Sequence, residues 1–145
     1  MKNTIESRIS IDVPAAVVWN NLIQLKDYTD WNPFIIRAEG KLALGEKISI
    51  DVQPVGKSPM KFTPTIIDYQ EGARVAWLGK FLLSGVFDGK HSFEVREQAN
   101  GGSVFIQKEE FNGLLVPLMK SAINGGIYQG FEKMNQALKA RCEGQ

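Results

Sequence analysis

One histidine and one glutamate are the residues of this sequence whose types and spacing allow acid–base chemistry. The chain contains a single histidine, His91, and the Asn100-Gly101 that follows it is a strong signal for a hairpin turn. A hairpin centred there pairs residues whose numbers sum to about 200, which sets His91 opposite Glu109. A histidine held by a carboxylate can exchange protons near neutral pH, or can hydrogen-bond a ligand. The alternative is a satisfied buried pair that only packs the sheet.

The same register surrounds this pair with aromatic side chains. It sets Val95 opposite Phe105 and Phe93 opposite Gln107, and odd-numbered positions of both strands share one face. We interpret this face as the inner one because of the aromatic residues that mark it, namely Trp77, Phe93, Phe105 and Phe111. No serine, cysteine or lysine is placed for activation by the histidine, so we rank ligand contact or packing above catalysis.

Two kinds of hydrophobic periodicity predict the elements that must position these residues. Ile5, Ile9 and Ile11 alternate with polar residues, which indicates a half-buried first strand. Two short helices follow, one over about 14–22 that Asp12 is expected to cap, and one that ends near Trp31. Further strands are predicted at 48–52, 62–69, 75–77, 87–97 and 103–111. A run of five or six strands with helices at the chain ends favours an antiparallel α+β fold.

A long last helix is predicted from Pro117 to about Arg141, with Pro117 in its first turn. Its apolar stripe at helical spacing consists of Leu118, Ala122, Ile127, Phe131, Met134 and Leu138. Gly125-Gly126 inside it suggests a bend or a close approach to something small. One helix cannot cover a strongly curved sheet completely, so small residues such as Ala122 and Gly126 would leave room for a cavity. A core filled by the large inner-face side chains is the alternative.

A second cluster of candidate residues is Trp31-Asn32-Pro33. Asn32 precedes a proline and is therefore expected to leave helical geometry. The cluster either lies at the mouth of the cavity or forms a hydrophobic plug between a short helix and the sheet. For Trp31 we favour the plug, and for Asn32 both interpretations stay open.

Composition and charge exclude several classes of protein. The 145 residues, with 43% hydrophobic and 23% charged side chains, predict one domain over 1–145. A net charge of +1 gives no reason to expect nucleic acid as a partner. The single cysteine, Cys142, allows neither an intrachain disulfide nor a cysteine metal site, and we expect it to be a surface or frayed-end thiol. We expect no metal, no cofactor, no stable membrane insertion and a cytoplasmic location; the sequence carries no signal for an oligomeric state.

Several short pieces of the sequence, which follow one another along nearly the whole chain, resemble the START-like or Bet v 1-like (SRPBCC) superfamily, in particular its polyketide cyclase/dehydrase-like branch. The pieces are Ile11-Asp12-Val13-Pro14, Val17-Val18-Trp19, Asp27-Tyr28, Trp31-Asn32-Pro33-Phe34, Gly45, Trp77-Leu78-Gly79, Gly89-Lys90-His91-Ser92-Phe93, Glu109-Glu110-Phe111-Asn112-Gly113, Gly130-Phe131-Glu132-Lys133-Met134-Asn135 and Ala137-Leu138-Lys139. The resemblance implies a helix-grip fold, in which a curved antiparallel sheet wraps around the long C-terminal helix over a deep cavity. It also implies hydrophobic ligands such as lipids, polyketides or other aromatic molecules, and no particular reaction.

We therefore expect a domain that binds a small hydrophobic molecule between sheet and helix, as a carrier or sequestering protein. An enzyme of the cyclase, aromatase or dehydratase type, with His91 and Glu109 as acid and base, is the alternative. A chaperone co-activator-like interaction module ranks third, because it would need an exposed apolar patch. The candidate ligand-binding residues are Trp31, Trp77, His91, Phe93, Phe105, Gln107, Glu109, Phe111, Ala122 and Gly126.

Overall fold

The computed structural model describes residues 2–81 and 83–144. Eight strands are present: β1 (Lys2–Ile11), β2 (Ile35–Glu39), β3 (Ser49–Val52), β4 (Met60–Phe62), β5 (Thr65–Gln70), β6 (Arg74–Phe81), β7 (Phe87–Glu97) and β8 (Ser103–Asn112). The helices are α1 (Ala15–Ile23), α2 (Tyr28–Trp31), α3 (Val116–Ala122) and α4 (Tyr128–Glu143). A 3₁₀ turn at Leu25–Asp27 precedes α2, and a π-helical segment at Ile123–Ile127 joins α3 to α4.

The strands form two antiparallel sheets on which the C-terminal helix lies. The larger sheet has the order β1-β8-β7-β6-β5, and the smaller one has the order β2-β3-β4. The core lies between this curved sheet and the helix, where Phe105, Phe131 and Met134 are fully buried. The predicted α+β class and helix-grip fold, with two short helices after the first strand, are confirmed.

The hairpin of β7 and β8 has the predicted register. His91 pairs with Glu109, Phe93 with Gln107 and Val95 with Phe105, as a turn at Asn100-Gly101 requires. Gly101 has a φ of 86°, which a side chain would disfavour and which this turn needs. Since β1 pairs with β8 along its whole length, the polar inner-face residues lie in the middle of a five-stranded sheet.

Two strand predictions are corrected, the first of them at Pro64. The single strand predicted over 62–69 is divided into β4 and β5, which belong to different sheets. Proline has no backbone N–H to give to a ladder, and the Pro64 carbonyl instead accepts from the Ile48 N–H at 3.0 Å. The strand β2 was missing from the prediction because its buried residues do not alternate strictly, and a bulge interrupts its pairing with β3.

The first helix begins as predicted but is capped differently. Its first N–H, that of Ala15, donates to Glu97 Oε1 at 2.7 Å, and Asp12 provides no side-chain cap. The carboxylate that caps this helix therefore comes from the end of β7 rather than from the preceding turn. This cap attaches α1 to the hairpin that carries His91.

The long helix departs from the prediction at its N-terminal end. Leu118 is 79% exposed and does not belong to the buried stripe, whereas Ile127, Phe131, Met134 and Leu138 do. The π-helical segment contains Gly125-Gly126, and one extra residue in that turn shifts the phase between α3 and α4. A stripe at constant helical spacing cannot continue through such a shift.

Cys142 is not the exposed thiol expected from its place near the C-terminus. Its side chain is fully buried, and its Sγ lies 3.6 Å from Asn21 Nδ2. Burial raises the pKa of the thiol to about 11. In residues 2–81 and 83–144, no helix has the length and apolar character needed to cross a membrane.

Candidate functional site

A cavity lies between the inner face of the large sheet, the small sheet and the start of the C-terminal helix. The centre of a water molecule can occupy about 160 Å³ of it. Its walls are mainly apolar and come from every layer of the fold: Phe34, Ile35, Ile50, Val52, Pro54, Met60, Phe62, Pro64, Trp77, Phe87, Phe111, Leu115, Met119 and Ile127. The polar side chains at these walls are those of Lys80, His91 and Glu109, and the remaining wall is formed by Gly79 and Gly89.

Two facing glycines make the space in front of the sheet. Gly79 of β6 pairs with Gly89 of β7, so that neighbouring strands lack a side chain at the same level. A Cβ on Gly89 would overlap Glu109 Oε2, whereas a Cβ on Gly79 would meet only Pro64 Cβ at 3.8 Å and the Gly89 oxygen at 4.0 Å. Gly89 therefore leaves room for the Glu109 carboxylate, and Gly79 leaves room for the cavity itself.

The histidine and the glutamate form the expected pair. His91 Nδ1 lies 3.3 Å from Glu109 Oε1, and the two side chains are 6% and 15% exposed. Such a buried contact is favourable only if hydrogen bonds satisfy both groups, because an unpaired buried charge is strongly disfavoured. The pair lies at a wall of the cavity and can reach a bound molecule.

Aromatic rings hold the imidazole in place. Its centroid lies 5.4 Å from that of Trp77, 5.0 Å from Phe93 and 5.0 Å from Phe131. Phe34 lies on the same side, at 6.5 Å. Because sheet and helix both contribute rings, the orientation of His91 depends on how the helix docks.

The second ring nitrogen of His91 points away from Glu109 into a buried hydrogen-bonded chain. Nε2 lies 2.9 Å from Gln107 Oε1, and Gln107 Nε2 donates to Asn135 Oδ1 at 2.9 Å. Asn135 Nδ2 then donates to Ser7 Oγ at 2.8 Å, and the Ser7 hydroxyl donates to Glu132 Oε2 at 3.2 Å. The chain crosses the core from the cavity wall to α4.

The predicted ligand-binding residues divide into three groups. Trp77, His91, Glu109 and Phe111 line the cavity. Phe93, Phe105 and Gln107 are buried on the inner face but do not line it; Phe93 supports Trp77 at a ring distance of 5.2 Å, and Gln107 holds His91. Ala122 and Gly126 do not line it either.

At Gly126 the absence of a side chain makes room for another segment of the backbone. Its carbonyl accepts from the Val55 N–H at 3.0 Å, and a Cβ there would lie 2.7 Å from the Val55 oxygen. The close approach that the sequence suggested at Gly125-Gly126 is therefore made by the loop between β3 and β4.

The Trp31-Asn32 cluster also lies away from the cavity walls. Trp31 contacts the Tyr28 ring edge to face at 5.2 Å, in agreement with a hydrophobic plug. Asn32 is 5% exposed, and its Oδ1 accepts from the N–H groups of Phe34 and Ile35 at 2.9 Å each. Asn32 thereby turns the chain into β2 and sets Phe34 against the cavity.

Several wall residues were not among the candidates. Phe34, Phe62 and Phe87 are aromatic, and Gly79 and Gly89 lie two residues from Trp77 and His91 on the same face of their strands. The alternation that selected His91 and Phe93 also places Gly89 on the inner face, so a glycine at this position was a usable signal for empty space. The residues of β2, β3 and β4 could not be found in that way, because they belong to the second sheet.

Comparisons with known proteins agree with this fold. Residues 2–143 match the family model described as polyketide cyclase / dehydrase and lipid transport. No curated protein matches the chain. In the part of the chain that the structure describes, no three His, Cys, Asp or Glu side chains are grouped to hold a metal ion.

Three solved structures illustrate the likeness. The Zhui aromatase/cyclase of a Streptomyces species has a TM-score of 0.80 at 13% identity, over 99% of this chain and 94% of that chain. Norcoclaurine synthase from Thalictrum flavum, solved with dopamine and hydroxybenzaldehyde, has a TM-score of 0.76 at 13% identity, over 100% of this chain and 88% of that chain. A START superfamily protein from Mycobacterium smegmatis has a TM-score of 0.73 at 16% identity, over 97% of each. At these identities the likeness shows the fold alone.

Proposed function

We propose, since the chain belongs to the polyketide cyclase / dehydrase and lipid transport family, that its cavity binds one small aromatic molecule that carries a polar group. Membership of the family confirms the resemblance found in the sequence and supports hydrophobic ligand binding in general. The observation that carries the narrower proposal is the cavity itself, whose mainly apolar walls meet the His91–Glu109 pair.

The size of the cavity favours a small ligand. Its volume of about 160 Å³ is close to that of engineered apolar cavities of about 150 Å³, which bind benzene. Sites for drug-sized ligands usually enclose roughly 300–1,000 Å³. A ligand of one ring, or of two small fused rings, therefore suits this cavity better than a sterol, a long acyl chain or a four-ring polyketide.

The walls favour an aromatic ligand with one polar group. Five aromatic side chains line the space, namely Phe34, Phe62, Trp77, Phe87 and Phe111, and aromatic pairs gain about 0.5–1.5 kcal/mol beyond the burial of their area. Phe87 and Phe111 are themselves stacked, with centroids 5.4 Å apart and planes at 14°.

The polar group of the ligand has a defined partner. Glu109 Oε2 lies over Gly89 at the cavity wall, while Oε1 is engaged by His91. A hydroxyl or N–H on the ligand can donate to Oε2. A ligand that covers Oε2 without donating to it would leave a buried acceptor unpaired, which is unfavourable by about 1–3 kcal/mol, so this contact distinguishes ligands that can donate from those that cannot.

The norcoclaurine synthase structure supports a ligand of this size. Both molecules in that structure, dopamine and hydroxybenzaldehyde, have a single ring. A protein of the same fold thus accommodates one-ring phenolic compounds.

Binding can be tested with four probes of graded size and polarity. Phenol, 2-naphthol, toluene and palmitate are titrated into ¹⁵N-labelled protein, and amide shifts are followed. We expect phenol and 2-naphthol to shift the amides of Gly79, Gly89 and His91, toluene to bind at least ten-fold more weakly than phenol, and palmitate to leave these amides unchanged. Binding of palmitate without binding of either phenolic probe would overturn the proposal, as would shifts confined to residues remote from the cavity.

An acid–base enzyme of the cyclase, aromatase or dehydratase type is the second candidate. The observation that favours it is the 3.3 Å contact between His91 Nδ1 and Glu109 Oε1 at the cavity wall. A cyclisation or dehydration needs a cavity that orients a reactive chain and one group that transfers protons. We rank this candidate second because a cavity of about 160 Å³ holds only a short reactive chain.

Two glycine variants test the role of the carboxylate. Gly89→Ala places a methyl group where Glu109 Oε2 lies and must displace the carboxylate, whereas Gly125→Ala lies outside the cavity walls and has nothing within 4 Å of its new Cβ. If the pair catalyses a reaction, turnover of a short aromatic polyketide mimic falls at least ten-fold in Gly89→Ala and little in Gly125→Ala. Equal turnover in the two variants would exclude an acid–base role for Glu109.

A further inference from the structure

A buried chain of hydrogen bonds joins the ring of His91 to the C-terminal helix. Four of the buried polar residues of the described chain belong to it, namely Ser7, His91, Gln107 and Asn135, and each is no more than 5% exposed. The chain has a carboxylate at each end, Glu109 at the cavity and Glu132 on α4. Because an ionised carboxylate only accepts hydrogen bonds, each end requires a donor, and the two opposite directions of donation meet at His91.

The direction can be followed from Glu132 inward. The Ser7 hydroxyl donates to Glu132 Oε2, and Tyr128 also hydrogen-bonds with both Glu132 and Ser7. With its proton given to one of these partners, the Ser7 oxygen is free to accept from Asn135 Nδ2. Asn135 Oδ1 is then the acceptor for Gln107 Nε2. This arrangement turns the carbonyl oxygen of Gln107, which has no hydrogen to give, toward His91.

His91 Nε2 must therefore be the donor in its 2.9 Å contact with Gln107 Oε1. A neutral imidazole has only one N–H, so with Nε2 protonated its Nδ1 carries a bare lone pair. That lone pair would face Glu109 Oε1 at 3.3 Å, and two acceptors in contact repel each other. One further proton between Nδ1 and Oε1 removes the repulsion.

We propose that Gln107 and Asn135 are positioning residues that hold His91 as the Nε2–H donor, so that His91 Nδ1 and Glu109 share one additional proton at the cavity wall. The shared proton leaves Glu109 Oε2 as the acceptor that a ligand meets. The additional proton is taken up from solvent water, and no bond between heavier atoms forms or breaks. The use of the pair rests on the proposed function, whereas the position of the protons is a property of the ligand-free protein.

The single histidine of the chain makes the test direct. Protein grown with ¹⁵N-labelled histidine contains one labelled ring, and its two nitrogen signals report whether each nitrogen is protonated. In the ligand-free protein we expect Nε2 to show a directly bonded proton and Nδ1 to show a signal shifted from that of a bare nitrogen. A bare Nε2 with the proton fixed on Nδ1 would overturn the proposal, whether or not any ligand binds.

Variants separate positioning from mere packing. Gln107→Leu removes the acceptor and should shift the Nε2 signal and weaken its protection from exchange with solvent. Glu109→Gln should shift Nδ1 while Nε2 stays protonated. Asn21→Ala removes a buried amide outside the chain, one that donates to the Val17 carbonyl at 2.9 Å, and should leave both ring signals in place.

The remaining outcomes also decide the matter. If Gln107→Leu does not fold, Asn135→Ser and the unmodified protein supply the readings, and an unshifted His91 spectrum in Asn135→Ser counts against a positioning role. Failure of all four small-molecule probes to bind, with Nε2 protonated, would refute the proposed function and leave this inference standing.

Discussion

A larger side chain at Gly79 should fill the cavity, and should thereby both stabilise the protein and weaken ligand binding. Gly79 lies on the inner face of β6, its φ is compatible with a side chain, and a Cβ there meets nothing closer than 3.8 Å. Gly79→Val would direct three carbon atoms into the space between Trp77 and Pro64. A cavity of about 160 Å³ is close in volume to one that binds benzene, so three added carbons leave too little room for a one-ring ligand.

The expected gain in the free energy of unfolding follows from the apolar area that Gly79→Val removes from water. Burying a methylene contributes about 0.8 kcal/mol, so three carbons contribute roughly 2.4 kcal/mol. Replacing glycine within a strand adds about 0.5–1 kcal/mol, and imperfect packing subtracts about 1 kcal/mol or more. The free energy of unfolding should therefore rise by roughly 1–2 kcal/mol, which for a chain of this size raises Tm by about 2–8 °C.

Urea unfolding and phenol titration of the same samples measure both effects. Ser92→Val is the control, because Ser92 lies on the opposite face of neighbouring β7 and also gains strand preference without reaching the cavity. We expect phenol binding to weaken at least ten-fold in Gly79→Val and to persist in the control. A Gly79→Val protein that is more stable yet binds phenol normally would show that the ligand lies elsewhere. A destabilised one would show that the space is not empty.

Two further predictions concern the packing of the C-terminal helix. Gly130→Ala should lower the free energy of unfolding by about 1–3 kcal/mol despite alanine's helix preference, because its methyl group would overlap the buried Phe34 ring. Gly125→Ala, which has nothing within 4 Å of the new Cβ, should not destabilise; equal urea midpoints for the two variants would contradict this. Burial raises the pKa of the Cys142 thiol to about 11, so the folded protein keeps a proton that the unfolded chain releases above about pH 8.5. The stability that this thiol contributes should be lost as pH rises from about 8.5 through 11, so the free energy of unfolding should fall more steeply over this range than in Cys142→Ala. Iodoacetamide at pH 8 should label Cys142 only when the protein unfolds. Rapid labelling of the folded protein would refute the burial of Cys142.

The small volume of the cavity has a cause in the side chains of both sheets. Aromatic side chains of both sheets, such as Phe62 of β4 and Trp77 of β6, reduce the space beneath the helix. The exposed leucines Leu114 and Leu118, at 81% and 79%, lie beside the wall residues Leu115 and Met119 at the start of the helix.

Local rules were sufficient for the hairpin that carries the candidate site. Asn100-Gly101 fits a tight turn, and once the turn is placed the period of two determines every cross-strand partner up to His91 and Glu109. For the same reason Phe93, Phe105 and Gln107 were correctly placed on the inner face. The extended conformation of Asn32 also followed locally, from the proline after it.

Whether an inner-face residue lines the cavity or supports its wall depended on residues far along the chain. Gln107 reaches Asn135 on α4 rather than the cavity, and Gly126 accommodates the loop at Val55 rather than a ligand. Such contacts join segments with no fixed spacing in sequence.

The sequence by itself therefore determined the fold class, the hairpin register and the contact of His91 with Glu109, because turn chemistry and periodicity act between near neighbours. Only the tertiary structure decided that Pro64 separates two sheets, that Cys142 is buried and that a π-helical turn exposes Leu118. It also decided the cavity volume and the buried hydrogen-bonded chain that joins His91 to the C-terminal helix. These features arise where the helix docks on the sheet, and docking is governed by the packing of distant side chains rather than by any local pattern.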